Sequence, residues 1–172
     1  MPRRSAPGPS REDIAGATTP WPSRSHRPTG CFNRSTRKLN PVRARDTEIL
    51  HEILETRERF GHREHLELAW RYLNLYPLAE AGDAMAASIR HVARLHGAED
   101  KYHETITRAW LHFVAVHRQR WGADSFDGFL HRNPDLLDGR LVEHYYSRDL
   151  IQSEHARSTF SAPDVHPLPA LA

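Results

Sequence analysis

Between residues 46 and 120, apolar positions recur at helical spacing in four successive segments. In "DTEILHEILETRER", residues 46–59, Ile49, Leu50, Ile53 and Leu54 make a narrow stripe behind Asp46, a good N-cap. Residues 62–76 predict a second helix. There His62, Leu66, Ala69, Trp70 and Leu73 share a face with His65 beside them, Arg63, Glu64, Glu67 and Arg71 take the other side, and Pro77 ends it. Residues 79–96 predict an alanine-rich third helix buried through Met85, Ile89, Val92 and Leu95 or His96, with Gly97 as its stop. The fourth, roughly 101–120 and capped by Asp100, presents His103, Ile106, Trp110, Phe113, Val114 and His117.

Beyond Gly122 the elements shorten. Ser125 caps "FDGFLHR", and Pro134 and Gly139 flank "DLLD". "RLVEHYYS" and "RDLIQSEHARSTF" read as two further helices, and "SAPDVHPLPALA" reads as an extended, proline-rich end. No strand alternation appears. The pattern predicts an all-α fold, a compact helical bundle of about five to seven helices spanning residues 46–172. Short links at Pro77 and Gly97 make successive helices antiparallel, so the second and fourth run parallel.

Charge changes the picture at the front of the chain. Residues 1–45 hold ten Lys/Arg against two Asp/Glu, net +8, and seven of the twelve prolines. Such a stretch cannot bury enough apolar surface to offset its ordering entropy, so a disordered basic leader is expected there. Residues 46–172 hold fourteen Lys/Arg against twenty Asp/Glu, net −6, which argues against specific nucleic-acid binding by the body. No stretch approaches the roughly 18 apolar residues of a membrane span, and a cytoplasmic location is the default expectation. The one cysteine, Cys31, lies in the leader, which removes intrachain disulfides and cysteine-based zinc sites from the body.

Histidine is the compositional outlier, with 12 of 13 after residue 45. "FGHREHLELAW" puts His62 and His65 in the first turn of the second helix, and "KYHETITRAW" puts His103 in the first turn of the fourth. Parallel helices would bring all three to one end of the bundle at similar height. Burial and the positive end of the helix dipole favour neutral imidazole, the form needed by a general base or a metal ligand. The three are therefore the candidate site. They would act as catalytic histidines or hold a divalent metal (zinc, iron or copper) for a reaction on a small polar substrate. The alternative is a non-catalytic interaction or regulatory module whose histidines are structural, with His103 as a helix cap.

Other residues weigh less. Glu104 fits a solvated face or a neighbouring helix, Thr105 and Thr107 fit a helix surface or packing, Arg108 fits an exposed position or an anion contact, Trp70 and Trp110 fit core packing, and one of Tyr145 and Tyr146 should face inward. "PDVHPLP" reads as a loose tail or as a segment over the bundle that would bring Asp164 or His166 to the site. No Gly-rich phosphate loop, serine-nucleophile elbow or His-Glu-x-x-His motif is present. The pieces "HREHLELAWRYL", "KYHETITRAW", "PDLLDGRLVEHYYS" and "PDVHPLP" cover most of residues 60–169 and resemble a family of short bacterial proteins to which no activity is attached. The resemblance implies only that these pieces form one unit.

Overall fold

The structure is a computed structural model that describes residues 43–56 and 60–171. The expected leader, residues 1–45, lies outside the described residues except for its last three. The described chain is helical, with no strand among the described residues. Its order is α1 (Ala44–Thr56), α2 (His62–Leu75), α3 (Leu78–Leu95), α4 (Glu104–Arg120), α5 (Phe126–Arg132), α6 (Arg148–Gln152) and α7 (Glu154–Ser158). Short 3-10 turns cover Glu99–Lys101, Pro134–Leu137 and Gly139–His144.

Helices α2, α3 and α4 form the centre, and α1 lies across α2 and α3. Tyr72 on α2 meets Ser88 on α3 (2.7 Å). Arg90 and Asp83 on α3 meet Glu104 and Arg108 on α4, in that order. The α3–α4 pairing is antiparallel, and α2 runs parallel to α4, as the short links predict, since His62 meets Trp110 at one end and Asn74 shares a cleft with Arg118 at the other. The core holds Leu66, Leu68 and Tyr72 of α2, Met85, Ile89 and Val92 of α3, and Trp110, Phe113 and Val114 of α4. Leu95, an expected core residue, is exposed because it stands in the last turn of α3, just before the chain leaves the helix. Gly97 takes φ +62°, the left-handed stop expected of it.

Two helix starts differ from the pattern. Asp46 is not a cap: α1 starts two residues earlier, because the backbone N–H and hydroxyl of Thr47 both donate to the Arg43 carbonyl. Asp46 is buried instead, and its carboxylate accepts the Tyr76 hydroxyl (2.8 Å). Asp100 is likewise not the cap of α4. It sits in the Glu99–Lys101 turn, and the cap is His103.

The C-terminal third is irregular. The predicted helix over "RLVEHYYS" is the 3-10 turn Gly139–His144. The predicted helix over "RDLIQSEHARSTF" breaks in two at Ser153, whose hydroxyl donates to the Leu150 carbonyl (2.7 Å) and accepts the Ala156 N–H (3.1 Å). One serine thus ends α6 and starts α7. Residues 160–171 run without regular structure across the bundle, with Leu168 and Leu171 packed on the core.

Candidate functional site

The three candidate histidines are inward-facing but do not converge. His62 lies edge-on to Trp110 (ring centroids 4.3 Å apart). Trp110 is seven residues along α4 from His103, about 10 Å of helix rise. His62 and His103 are therefore offset by far more than the roughly 4 Å that separates two nitrogens on one ion. The cause is helix length. α3 has 18 residues and α2 has 14, so the chain passes beyond the start of α2 before α4 begins. Among the described residues, no group of three His, Cys, Asp or Glu side chains is placed to hold a metal ion. The expectation of equal height is corrected on this point.

Each ring has a backbone partner. His62 Nε2–H donates to the Leu136 carbonyl (2.8 Å). His65 Nδ1–H donates to the Gly61 carbonyl (2.6 Å), and its ring packs against Phe60. His103 uses both nitrogens: Nδ1 accepts the Ile106 N–H (3.3 Å), and Nε2–H donates to the Ile151 carbonyl (2.8 Å). It has no lone pair left to offer.

Two histidines not among the candidates repeat this use. His112 Nε2–H donates to the Pro169 carbonyl (2.8 Å). His117 Nδ1–H donates to Asn133 Oδ1 (2.9 Å), with Asp135 3.4 Å from the other nitrogen. Irregular backbone lacks the internal hydrogen bonds of a helix, so its carbonyls must find partners elsewhere. Here histidines on α2 and α4 supply several of them. Thr105, buried on α4, adds another fastening: its hydroxyl serves the Ala156 and Thr159 carbonyls and the Ser161 N–H.

Burial holds the His62, His65 and His103 imidazoles below their usual range, against a smaller opposite pull from their backbone hydrogen bonds, with His65 lowered to about 4. Above pH 6.5 both folded and unfolded rings are neutral and their contribution is fully present. As pH falls from 6.5 toward 4, the unfolded chain binds protons that the fold refuses, and stability drops. The urea midpoint should therefore fall steadily between pH 6.5 and 4, and His65→Gln should flatten that slope. A midpoint constant over this range would contradict the assignment.

The strongest polar cluster is one that periodicity left on the surface. Glu104 is only 7% exposed. It accepts Tyr102 OH (2.5 Å), Arg90 Nη2 (2.5 Å) and Arg108 Nε (2.8 Å), and Arg108 also reaches Asp83 (2.7 Å). Burial pushes its carboxyl up, but the hydrogen bonds from Tyr102 and Arg108 and the charges of Arg90 and Arg108 outweigh it, so the net shift is downward. Arg90 also lies over the Tyr102 ring. A Cβ at Gly82 would collide with the Arg108 guanidinium, so glycine there admits the side chain between α3 and α4. Glu67, also buried, pairs with Arg71 (2.8 Å) in the same manner. The one local signal for these clusters was the i, i+4 spacing of Glu104 with Arg108 and of Glu67 with Arg71.

The remaining candidates separate. Trp110 is core, whereas Trp70 is half-buried against Phe126. Tyr146 faces inward and Tyr145 is half-buried. Asp164 does not reach the histidines. Its carboxylate accepts the N–H (2.8 Å) and hydroxyl (2.5 Å) of Ser147, and His166 is exposed.

At the C-terminal ends of α2 and α4, Asn74, Arg118, Gln119, Gly122, Ala123, Asp124 and Arg132 line a cleft of about 410 Å3. Trp121, at the same end of α4, is 60% exposed. Comparison of the chain with protein-family models, curated protein sequences and solved structures finds no match.

Proposed function

We propose that this chain is a small cytoplasmic interaction module, with no catalytic metal, whose histidines fasten an irregular C-terminal segment to a helical bundle. The observation that carries the reading is the use of the ring nitrogens: His62, His103 and His112 each donate to a carbonyl of residues 136–169, and His103 has neither nitrogen free. A general base or ligand needs an open lone pair aimed at a site, which His103 lacks, and His62 and His65 form no three-ligand group among the described residues. Two further points support it. The cleft at the end of α4 is lined mostly by polar and charged side chains, unlike the predominantly apolar pockets that enclose small ligands. The acidic body disfavours specific nucleic acid, and no helix among the described residues is long and apolar enough to cross a membrane.

Metal titration tests this against the enzyme reading. Untagged protein titrated with zinc or cobalt should show no one-to-one site tighter than about 1 µM. His62→Gln and His103→Gln should each lower stability by about 1–3 kcal/mol, the cost of a buried carbonyl left without its donor. A stoichiometric site lost in His62→Ala, His65→Ala and His103→Ala alike would restore the metal-dependent reading and overturn this one.

A further inference from the structure

Five arginines of the described chain are half-buried: Arg63, Arg71, Arg90, Arg108 and Arg118. Four are paired with carboxylates: Arg63 with Asp127 and Glu67, Arg71 with Glu52 and Glu67, Arg90 with Glu104, and Arg108 with Glu104 and Asp83. Arg118 has no carboxylate partner among the described residues and lines the cleft. Partial burial strips water from a guanidinium, and this fold otherwise compensates with an acid. Arg118 departs from that rule at an open surface.

Its surroundings share the character. Arg132 lines the same cleft, held there by its donation to the Gly122 carbonyl (2.6 Å). Arg120 is exposed on the same turn of α4, and Asp124 is the carboxylate in the lining. The cationic end of α4 thus stands on a body of net charge −6. Trp121, the C-cap of the same helix three residues after Arg118, is 60% exposed. Tryptophan and arginine together are the residue types that dominate binding energy at protein interfaces. The alternative explanation for these arginines, that Arg118 and Arg120 answer the negative end of the α4 dipole and Arg132 that of α5, does not account for the exposed tryptophan.

We propose that the Arg118–Trp121–Arg132 surface docks an acidic segment of a partner protein, with a Glu or Asp of that segment pairing with Arg118 and an apolar neighbour covering Trp121. This rests on the module reading and names its partner. A short acidic peptide feels the local cationic patch. Around the patch a long polyanion would also meet the acidic body, and its attraction to residues 1–45 does not depend on Arg118 or Trp121, so a short acidic peptide is the occupant this surface fits.

The test uses the full chain and a fluorescein-labelled decapeptide of Glu and Leu, followed by anisotropy. Because the first 45 residues are themselves basic, each variant is read against Arg148→Ala, which removes the same charge from an exposed position on α6. Binding should be saturable and weaken with salt. Arg118→Ala and Trp121→Ala should each weaken it about tenfold, with melting temperatures unchanged and Arg148→Ala near wild type. Arg118→Lys should fall between, since the charge remains but the two-pronged donor is lost. Binding that Arg118→Ala and Trp121→Ala leave untouched would place the peptide elsewhere and overturn the proposal. So would an oligothymidine that binds through these residues and is not displaced by the peptide. Either failure leaves the metal titration unaffected, so loss of this docking surface and loss of the module reading are separately visible.

Discussion

Phe113→Ala should lower the unfolding free energy by about 3–5 kcal/mol, the largest effect expected of any single change considered for this fold. Phe113 is 1% exposed and packs between Trp110 (ring centroids 5.4 Å) and Tyr145 (5.0 Å). It therefore joins α4 to the irregular C-terminal segment. Removing the ring costs its transfer energy and leaves a cavity that a rigid helix cannot close. Phe113→Leu should recover more than half of the loss. The damage should also be local in order: Tyr145 loses a neighbour, and its carbonyl accepts the Val165 N–H (3.1 Å). Urea unfolding gives the total, and hydrogen exchange at the Val165 amide gives the order. A cost below about 1 kcal/mol would mean that Phe113 is not the joint described here.

Glu104→Ala ranks second, at about 2–4 kcal/mol. Removing one member of a buried ion cluster leaves the others desolvated and unpaired, which normally costs about 3–5 kcal/mol. Here the side chains of Arg90 and Arg108 are 32% and 28% exposed, so both can recover some hydration and the figure is reduced. Glu104→Gln should cost less, because the amide oxygen still accepts one hydrogen bond. The pH dependence carries a sign check. The folded carboxyl titrates below its ordinary value near 4.5, so its contribution is full above that value and declines as pH falls below it. Glu104→Ala should therefore be most damaging near neutral pH and converge on wild type in acid. Denaturant titrations at pH 7 and pH 3 measure both ends. A cost that grows in acid would show that the carboxylate is not the stabilised form.

The bundle was legible in the sequence because its information is local. Met85, Ile89 and Val92 recur at helical spacing and are buried. Gly97 was legible from chemistry alone, since a left-handed stop favours one residue. The burial of Glu64, Glu67 and Glu104 was not legible. Local spacing sorts a glutamate by its own helix, whereas Arg90 reaches Glu104 from 14 residues away on another helix. The histidines divide in the same way. Their inward faces followed from periodicity, but their heights depended on α3 outrunning α2 by a turn, a length that boundary signals at Asp100 misplaced. The partners of the His62, His103 and His112 rings lay out of reach altogether, because Leu136, Ile151 and Pro169 are 48 to 74 residues away in short or irregular elements that local spacing cannot place.

Those partners also set a schedule for synthesis. The acceptors for His62, His103 and His112 lie 74, 48 and 57 residues downstream. At roughly 5–20 residues per second, the His62 ring waits about 4–15 seconds for the Leu136 carbonyl to be made. Only near the end of that interval, once α4 is complete at Arg120, do α2 to α4 have the apolar surface to collapse on one another. Phe129, Leu136, Val142 and Tyr146 are core residues made after α4, so core and fastenings are completed together as residues 126–169 arrive.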